Sequence, residues 1–497
     1  MARLDLPRPV FSDLIAGASV ALVLIPQSLA YAELANLPPY LGLFAAAFPL
    51  LIFSLFASSP FLQTGPTAVV SLLTFAALPD VEPSELPKIA ALLALLVGVC
   101  RFVFGLVRAG SIVRLISLPV VTGFTSGAAI LIISSQIPRS LGLDAGDGGV
   151  LAEAWSALTS VGDWDLAAIV LSVITAVLFL GGRKLSPLFP GVLVAVVIGI
   201  VWSRASQYRG ETIGTIPEGI PPFDLNLPWG EIPTLLLGAI VIALVGFAEP
   251  VSIARTFANE TGQKWDANRE FMASGLANLV SAVTGGYPVG GSFSRSSINK
   301  LAGAQTRWSG GVTGLIVIAF LPFASVLEPL PRAVLSAIVI SAVVSLVKPR
   351  RLLGIWKRSH SQAVLAWITF AATLAFAPRV ERAVLLGVVL TVALHFGDKF
   401  TVERFNDEDT DEPVLLTPAG MMWMGTDRAF NDQLMNEGAE SSTGVSIDFA
   451  NAPFIDDATA QSLAKAAEAG ADVTWKNPPD GSEAMLEQIQ RQIDEWF

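Results

Sequence analysis

Apolar stretches almost free of charge follow one another from Leu14 to Phe396, separated by short breaks of Pro, Gly and charged residues. Most are long enough, as helices, to cross roughly 30 Å of hydrocarbon. The first seven fall at 14–32, 41–57, 66–78, 89–107, 115–137, 166–181 and 188–202. A polar stretch with several prolines, 203–231, separates them from seven more at 234–256, 271–284, 292–301, 308–327, 333–347, 363–377 and 383–396. This pattern predicts an α-helical polytopic membrane protein of fourteen spans. Because seven is odd, the second set must enter the membrane from the side opposite to the first. The halves, about 10–202 and 231–399, are therefore expected to be inverted repeats.

Beyond residue 400 the pattern changes to short strand-like runs at 414–417, 421–424, 445–449 and 472–475, with helix-like stretches at 458–469 and 482–496. It predicts a small α/β domain over 413–497, joined to a membrane domain of 1–399 by an acidic linker at 400–412.

Composition agrees with this division. The chain is 53% hydrophobic and only 15% charged, with mean hydropathy +0.61, whereas soluble domains carry about a quarter charged residues. The net charge of −11 is uneven: residues from 400 onward carry −15 and those before them +4. A tail that acidic is a solvated surface and argues against nucleic acid as a partner. A single cysteine excludes an internal disulfide, and two histidines offer no metal cluster at ligand spacing. No phosphate-binding G-x-x-x-x-G-K-[ST] loop is present, so the chain reads as a non-enzyme that draws energy for uphill transport from elsewhere. The first apolar stretch follows Arg3 and Arg8, but it is too long for a cleaved leader and lacks a small-x-small site after it.

Lys and Arg set the orientation, since cytoplasmic loops are enriched in them. With the N-terminus inside, the inner segments hold nineteen, counting Arg101, Arg108 and Arg114 among them, and the outer segments seven. Both termini are thus expected in the cytoplasm.

Two stretches are unusually short, 66–78 and 292–301, each third in its half. Paired interrupted segments are the best sequence pointer to a transporter's binding site. The first is led in by Gln63-Thr64-Gly65-Pro66, with Pro66 suited to the first helical turn, and the second by Gly285-Gly286-Tyr287-Pro288-Val289-Gly290-Gly291. Two facing helix N-termini attract an anion through unpaired N–H groups and aligned dipoles. Ser292, Ser294, Thr64, Thr67 and Gln63 add donors. Arg295 would cost about 2.5–3.5 kcal/mol or more at membrane depth unless paired, and an anion could pair with it. Glu249 is the one carboxylate read as well inside a span, and Glu33 sits near the end of the first; both are candidates for coupling to protons or cations. Gln27 and Tyr31, one turn apart, could line the pocket. The ordinary alternatives are loop glycines, a snorkelling Arg295, helix-packing hydrogen bonds for the two acids and interfacial anchoring for Gln27 and Tyr31.

The run Ile25-Pro26-Gln27-Ser28-Leu29-Ala30-Tyr31-Ala32, then Pro38-Pro39 and Gly42-Leu43-Phe44, resembles the signature of the sulfate permease (SulP) family. Gly65-Pro66-Thr67-Ala68 and Gly290-Gly291-Ser292-Phe293-Ser294-Arg295-Ser296 are similar to that family's motifs at its two half-helices. Val445-Ser446-Ile447-Asp448-Phe449 and Pro453-Phe454-Ile455-Asp456-Asp457 resemble its C-terminal STAS domain, although Asp456-Asp457-Ala458-Thr459 lacks the phosphorylatable serine of related soluble proteins. The resemblance implies seven-plus-seven inverted repeats with core and gate subdomains, a homodimer, and a substrate cavity lined by Gln27, Tyr31, Thr67, Ser292, Phe293, Ser294 and Arg295. It also implies a coupling role for Glu249, at the place where sodium-coupled relatives carry a cation-binding acid.

The expected function is secondary active transport of a small anion by alternating access, as proton-coupled symport of a C4 dicarboxylate, sulfate or bicarbonate. The setting is a bacterial cytoplasmic (inner) membrane, with H⁺ or Na⁺ as coupling ion and no other cofactor. Two alternatives stand beside it: an uncoupled anion exchanger or channel, and a membrane sensor signalling through its STAS domain to a soluble partner.

Overall fold

The computed structural model describes residues 7–78, 82, 84–108, 118–144, 148–186, 188–217, 219–221, 223, 225–261, 263, 265–356 and 360–397, and beyond them 401–405, 414–419, 445–449 and 473–476. Each of the fourteen apolar stretches carries a helix. In the first half these are α1 (Phe11–Leu34), α2 (Tyr40–Phe56), α3 (Ala68–Ala77), α4 (Leu86–Leu106) and α5 (Leu118–Ser140). The short α6 (Val150–Thr159) follows, then α7 (Leu166–Ala176), which passes through a π-helical turn into α8 (Gly182–Leu185), and α9 (Gly191–Ser206). The second half holds α10 (Ile232–Thr261), α11 (Ala267–Val283), α12 (Phe293–Leu301), α13 (Trp308–Phe320), α14 (Arg332–Val343), α15 (Pro349–Ile355), α16 (His360–Ala375) and α17 (Glu381–Gly397). Among the described residues, six segments are by length and composition sufficient to cross a membrane, including Phe11–Leu34, Leu86–Leu106 and Trp229–Ala258. The pattern of apolar positions does not reveal α6 and α15, because their polar residues interrupt the apolar runs.

The chain divides into two compact units. Unit 1 comprises 1–113, 124–347 and 371–385. Within it α11 packs on α4 and α2, α13 on α2 and α1, α10 on α4 and α3, and α12 on α1 and α10, while α14 packs on α7 and α9 and meets α1. Small residues make the α4–α11 contact close enough for backbone to meet backbone. A Cβ added at Gly98 would lie 2.8 Å from the Leu279 nitrogen, and one at Gly275 2.6 Å from the Phe102 nitrogen.

Unit 2 comprises 114–123, 348–370 and 386–497. A Cβ at Gly387 would lie 2.7 Å from Val120 and 2.9 Å from the Thr369 hydroxyl, so α17 approaches α5 and α16 there. The unit also contains a four-stranded sheet in the order β3 (Thr401–Phe405), β4 (Val414–Ala419), β5 (Val445–Asp448), β6 (Val473–Lys476). The β3–β4 pair is antiparallel, and the β4–β5 and β5–β6 pairs are parallel. Leu416 of β4 and Ile447 of β5 are fully buried, and Ser446 beside Ile447 is buried too. Thr401–Phe405, inside the stretch read as linker, is itself a strand, because its alternating Thr-Val-Glu-Arg-Phe can pair with Leu415–Ala419. The expected strand at 421–424, the helices at 458–469 and 482–496, the acidic segment 406–412 and the 453–459 motif lie outside the described residues.

Candidate functional site

The lead-ins of the two short helices meet. β1 (Thr64–Gly65) pairs antiparallel with β2 (Gly290–Gly291), Thr64 opposite Gly291 and Gly65 opposite Gly290. The Ser292 N–H donates to the Gln63 carbonyl at 3.0 Å and extends the pair. Each strand runs into a capped helix. The Thr67 hydroxyl accepts the Val70 N–H at 3.4 Å, and the Ser292 hydroxyl accepts the Arg295 N–H at 3.5 Å. Thr67, in extended conformation, is thus the N-cap of α3, and Pro66 lies before the cap, not in the first turn as the dipeptide suggested. A hydroxyl on the cap satisfies a helix N–H that proline cannot. Gly65 and Gly290 each stand two residues before their caps and face each other, so a local two-fold relates the two helix starts, with the chains leaving the pair in opposite directions.

Arg295 sits at this junction and is fully buried. Its Nη1 donates to the Pro66 carbonyl at 2.7 Å, so an arginine of the second half is anchored to the lead-in of the first. Nε and Nη2 are buried and have no protein acceptor among the described residues. Tyr31, Glu249 and Tyr287 lie close enough to act on the guanidinium electrostatically. Gly65 lies beside it at φ 140°, a backbone conformation that favours glycine, and a Cβ there would make only an ordinary contact with Nη2, at 3.5 Å.

The other residues singled out in the sequence are placed as follows. Gln27 and Tyr31 are buried on α1, which packs against both α3 and α12, and Gln27 Oε1 has no partner. Glu249 joins the junction, with Oε1 accepting the Phe293 N–H in the first turn of α12 at 3.4 Å. Ser294 is half-buried in the same turn. Phe293 turns outward, 55% exposed, with its ring stacked on Phe257 at 6.4 Å between centroids. Thr64 and Gln63 are buried with side-chain polar atoms unpartnered. A Cβ added at Gly310 of α13 would lie 3.6 Å from Gln63 Nε2. Glu33 does not join Glu249: it is held at 3.0 Å by Arg332 at the start of α14.

Several residues at or behind the junction escape a sequence reading. The Tyr287 hydroxyl lies 3.2 Å from the Ser71 hydroxyl of α3, linking the second lead-in to the first half-helix. Arg101, counted from sequence among the charges of an inner loop, is fully buried in α4. It donates to the carbonyls of Ala243, Ile242 and Val289 and to the Ser274 hydroxyl. Its position within an otherwise apolar run was the available signal. Glu270, one residue before the apolar run at 271–284, is a fully buried carboxylate. Asp13, just ahead of the first run, is another buried one, accepting from the Gln305 and Thr306 backbone and from the Thr306 hydroxyl.

Comparison with known proteins agrees with this architecture. The sulfate permease family model matches residues 10–369. The chloroplastic sulfate transporter 4.1 of Arabidopsis thaliana is 34% identical over 395 residues, which are 77% of this chain and 57% of that protein. A probable sulfate transporter of Mycobacterium tuberculosis is 34% identical over 392 residues, 77% of this chain and 69% of that one. The chain thus spans little more than half the length of the plant relative. Among solved structures, the murine solute carrier 26 member A9 anion transporter in its inward-facing state superposes with a TM-score of 0.73 at 19% identity, over 99% of this chain and 88% of that one. That likeness is one of fold. On the family match and these relatives, the chain belongs to the sulfate permease family of multi-pass integral membrane proteins.

Proposed function

We propose that this protein is a secondary active transporter that carries a small anion across the membrane by alternating access, with the anion seated between the N-termini of α3 and α12 against Arg295. One observation carries the reading: Arg295 is fully buried where the two lead-ins meet, and two of its three nitrogens lack a protein acceptor among the described residues. A buried guanidinium with two nitrogens lacking an acceptor is costly, and an anion removes that cost while also engaging both helix dipoles. Gln27, Tyr31, Thr67, Ser292, Phe293, Ser294 and Arg295 form the substrate cavity in this reading. The donor set of hydroxyls, backbone N–H groups and one arginine suits sulfate, bicarbonate or a C4 dicarboxylate.

Glu249 supplies the coupling. Ionised, its carboxylate holds a first-turn N–H of α12 and opposes an incoming anion; protonated, it no longer repels the anion. Anion and proton binding then favour each other, which is the linkage that symport needs. Fourteen spans in inverted repeats, a cytoplasmic STAS domain over 413–497, both termini inside a bacterial inner membrane, and a homodimer complete the proposal. The test is uptake of sulfate, bicarbonate and succinate into proteoliposomes of the full chain. An inward proton gradient should drive accumulation, and Glu249→Gln should abolish that dependence while leaving exchange. If an imposed pH gradient leaves accumulation unchanged in the native protein, proton coupling is wrong. Obligatory counter-anion exchange is then the reading to keep, favoured by the backbone partner that Glu249 already has.

A further inference from the structure

Two fully buried ions of opposite charge lie behind the junction, and neither is placed to touch a substrate. Arg101 on α4 spends all three guanidinium nitrogens within the fold. Nη1 donates to the Val289 carbonyl at 2.7 Å and to the Ser274 hydroxyl at 2.9 Å, Nη2 to the Ile242 carbonyl at 3.0 Å, and Nε to the Ala243 carbonyl at 3.3 Å. Val289 immediately precedes β2, and its remaining backbone valences are taken by Asn278 of α11. The Val289 N–H donates to Asn278 Oδ1 at 2.9 Å, and Asn278 Nδ2 donates to the Val289 carbonyl at 3.1 Å. Glu270, also on α11, does the corresponding work for the other lead-in: Oε2 accepts the Ser58 N–H at 2.9 Å and the Ser59 N–H at 3.0 Å, with Trp265 Nε1 at 3.3 Å.

The arrangement is reciprocal. An arginine of the first half holds the segment that leads to α12, and a glutamate of the second half holds the segment that leads to α3. Their two helices pack backbone to backbone through Gly98 and Gly275. Placing two charges in a protein interior without pairing them to each other is expensive, and apolar side chains would fill the α4–α11 interface at less cost. What an apolar pair could not do is fix three backbone groups of two irregular segments in direction as well as position. A helix N-terminus binds an anion only when its N–H groups are aimed within a few tenths of an ångström of the ligand, so rigid lead-ins are a requirement of the site.

We infer that Arg101 and Glu270 are paired positioning residues, each carried by one half of the chain and each setting the lead-in of the other half's short helix, so that the two helix N-termini are held at a fixed separation. This rests on the anion-site reading for its functional consequence, but the mechanical part stands by itself. Arg101→Lys keeps the charge and loses the fork; Arg101→Met loses both; Glu270→Gln keeps one acceptor and loses the charge.

The experiment uses the purified full chain in detergent, with two readouts per variant. Hydrogen exchange by mass spectrometry should show faster exchange across 287–292 in Arg101→Met, spreading to 63–65 through the β1–β2 pair, and faster exchange across 58–65 in Glu270→Gln. Calorimetric titration with inorganic sulfate, succinate and bicarbonate should show affinity weakened about tenfold or more for whichever anion the native protein binds, with Arg101→Lys between native and Arg101→Met. Should Arg101→Met fail to fold, Arg101→Lys and Glu270→Gln carry the same comparison. Unchanged exchange in both lead-ins overturns the inference, and so does loosened exchange with native affinity. If Arg295→Gln leaves affinity untouched, or none of the three anions binds, the anion-site reading fails instead, and the exchange measurement still decides whether the lead-ins are braced.

Discussion

Glu33 and Arg332 form an ion pair, Oε1 to Nε 3.0 Å, that ties the end of α1 to the start of α14. The carboxylate is buried and the guanidinium about one-third exposed, and Arg332 Nη1 also holds Glu211 at 2.6 Å. The Arg332 N–H donates to the Glu211 carbonyl, and the Ile213 N–H to the Leu330 carbonyl, each at 3.0 Å, so the 211–213 stretch is stitched to the same place. The pair reinforces a direct contact between the two helices: α1, which packs chiefly on α13, α2 and α12, also meets α14, which packs chiefly on α7.

Removing one partner of that pair strands the other. Arg332→Gln should lower thermal stability by the equivalent of about 3–5 kcal/mol if Glu33 stays ionised, because a buried carboxylate then lacks its counter-charge. The double variant Glu33→Gln/Arg332→Gln should recover most of the loss. A thermal unfolding series of the two single variants and the double decides it, and simple additivity would show that the pair contributes nothing.

Arg295→Gln keeps hydrogen-bonding capacity and removes the charge. The expected result is anion affinity weaker by one to two orders of magnitude, corresponding to a charge-assisted contact worth about 1.5–3 kcal/mol. Thermal-shift titration with sulfate, succinate and bicarbonate measures it. Stability without ligand should rise or stay level, since an under-satisfied buried cation has been taken away.

Gly65→Ala places a methyl group where the backbone has φ 140° and where Arg295 Nη2 would be 3.5 Å away. An L-residue at that dihedral costs of order 1–3 kcal/mol. The variant should therefore lose stability and affinity together. Gly310→Ala, whose added carbon would meet only ordinary contacts at 3.6 Å, is the control that should lose neither to the same degree.

Glu249→Gln tests proton linkage without transport. In the native protein, anion affinity should rise as pH falls, because protonation removes a negative charge from the first turn of α12. In the variant the profile should be flat and close to the acidic limit of the native one. Parallel profiles in the two proteins would assign the pH dependence to another group.

Phe293→Ala separates lining from packing. The ring is 55% exposed, so its loss should cost little stability, and any large fall in anion affinity would mark a ring that contacts substrate.

Much of this molecule was legible in the chain because lipid imposes strong constraints. A backbone crossing hydrocarbon must satisfy its own hydrogen bonds, so apolar length alone marks helices, and each of the fourteen apolar stretches carries one. The two short helices announced themselves by length and by Gly-Pro-Thr and Gly-Gly-Ser lead-ins. Hydropathy carries no such signal for partners far apart in sequence. Arg101 reads as a loop charge until Val289, Ile242 and Ala243 are seen around it. Glu270 reads as the polar edge of a helix until Ser58 and Ser59 arrive from more than two hundred residues away.

Membrane residence, the positions of the helices, the shortness of two of them and the arginine at the start of the second can all be read along the chain. Those properties follow from local chemistry: transfer free energy, glycine and proline dihedrals, and hydroxyl capping. Packing across the chain sets the rest: Gly65 faces Gly290, Arg295 binds the Pro66 carbonyl, and Glu249 sits at the junction while Glu33 belongs to Arg332. These are choices among acceptors of similar intrinsic strength. Distance selects among them, and distance is set by the packing of helices from both halves of the chain.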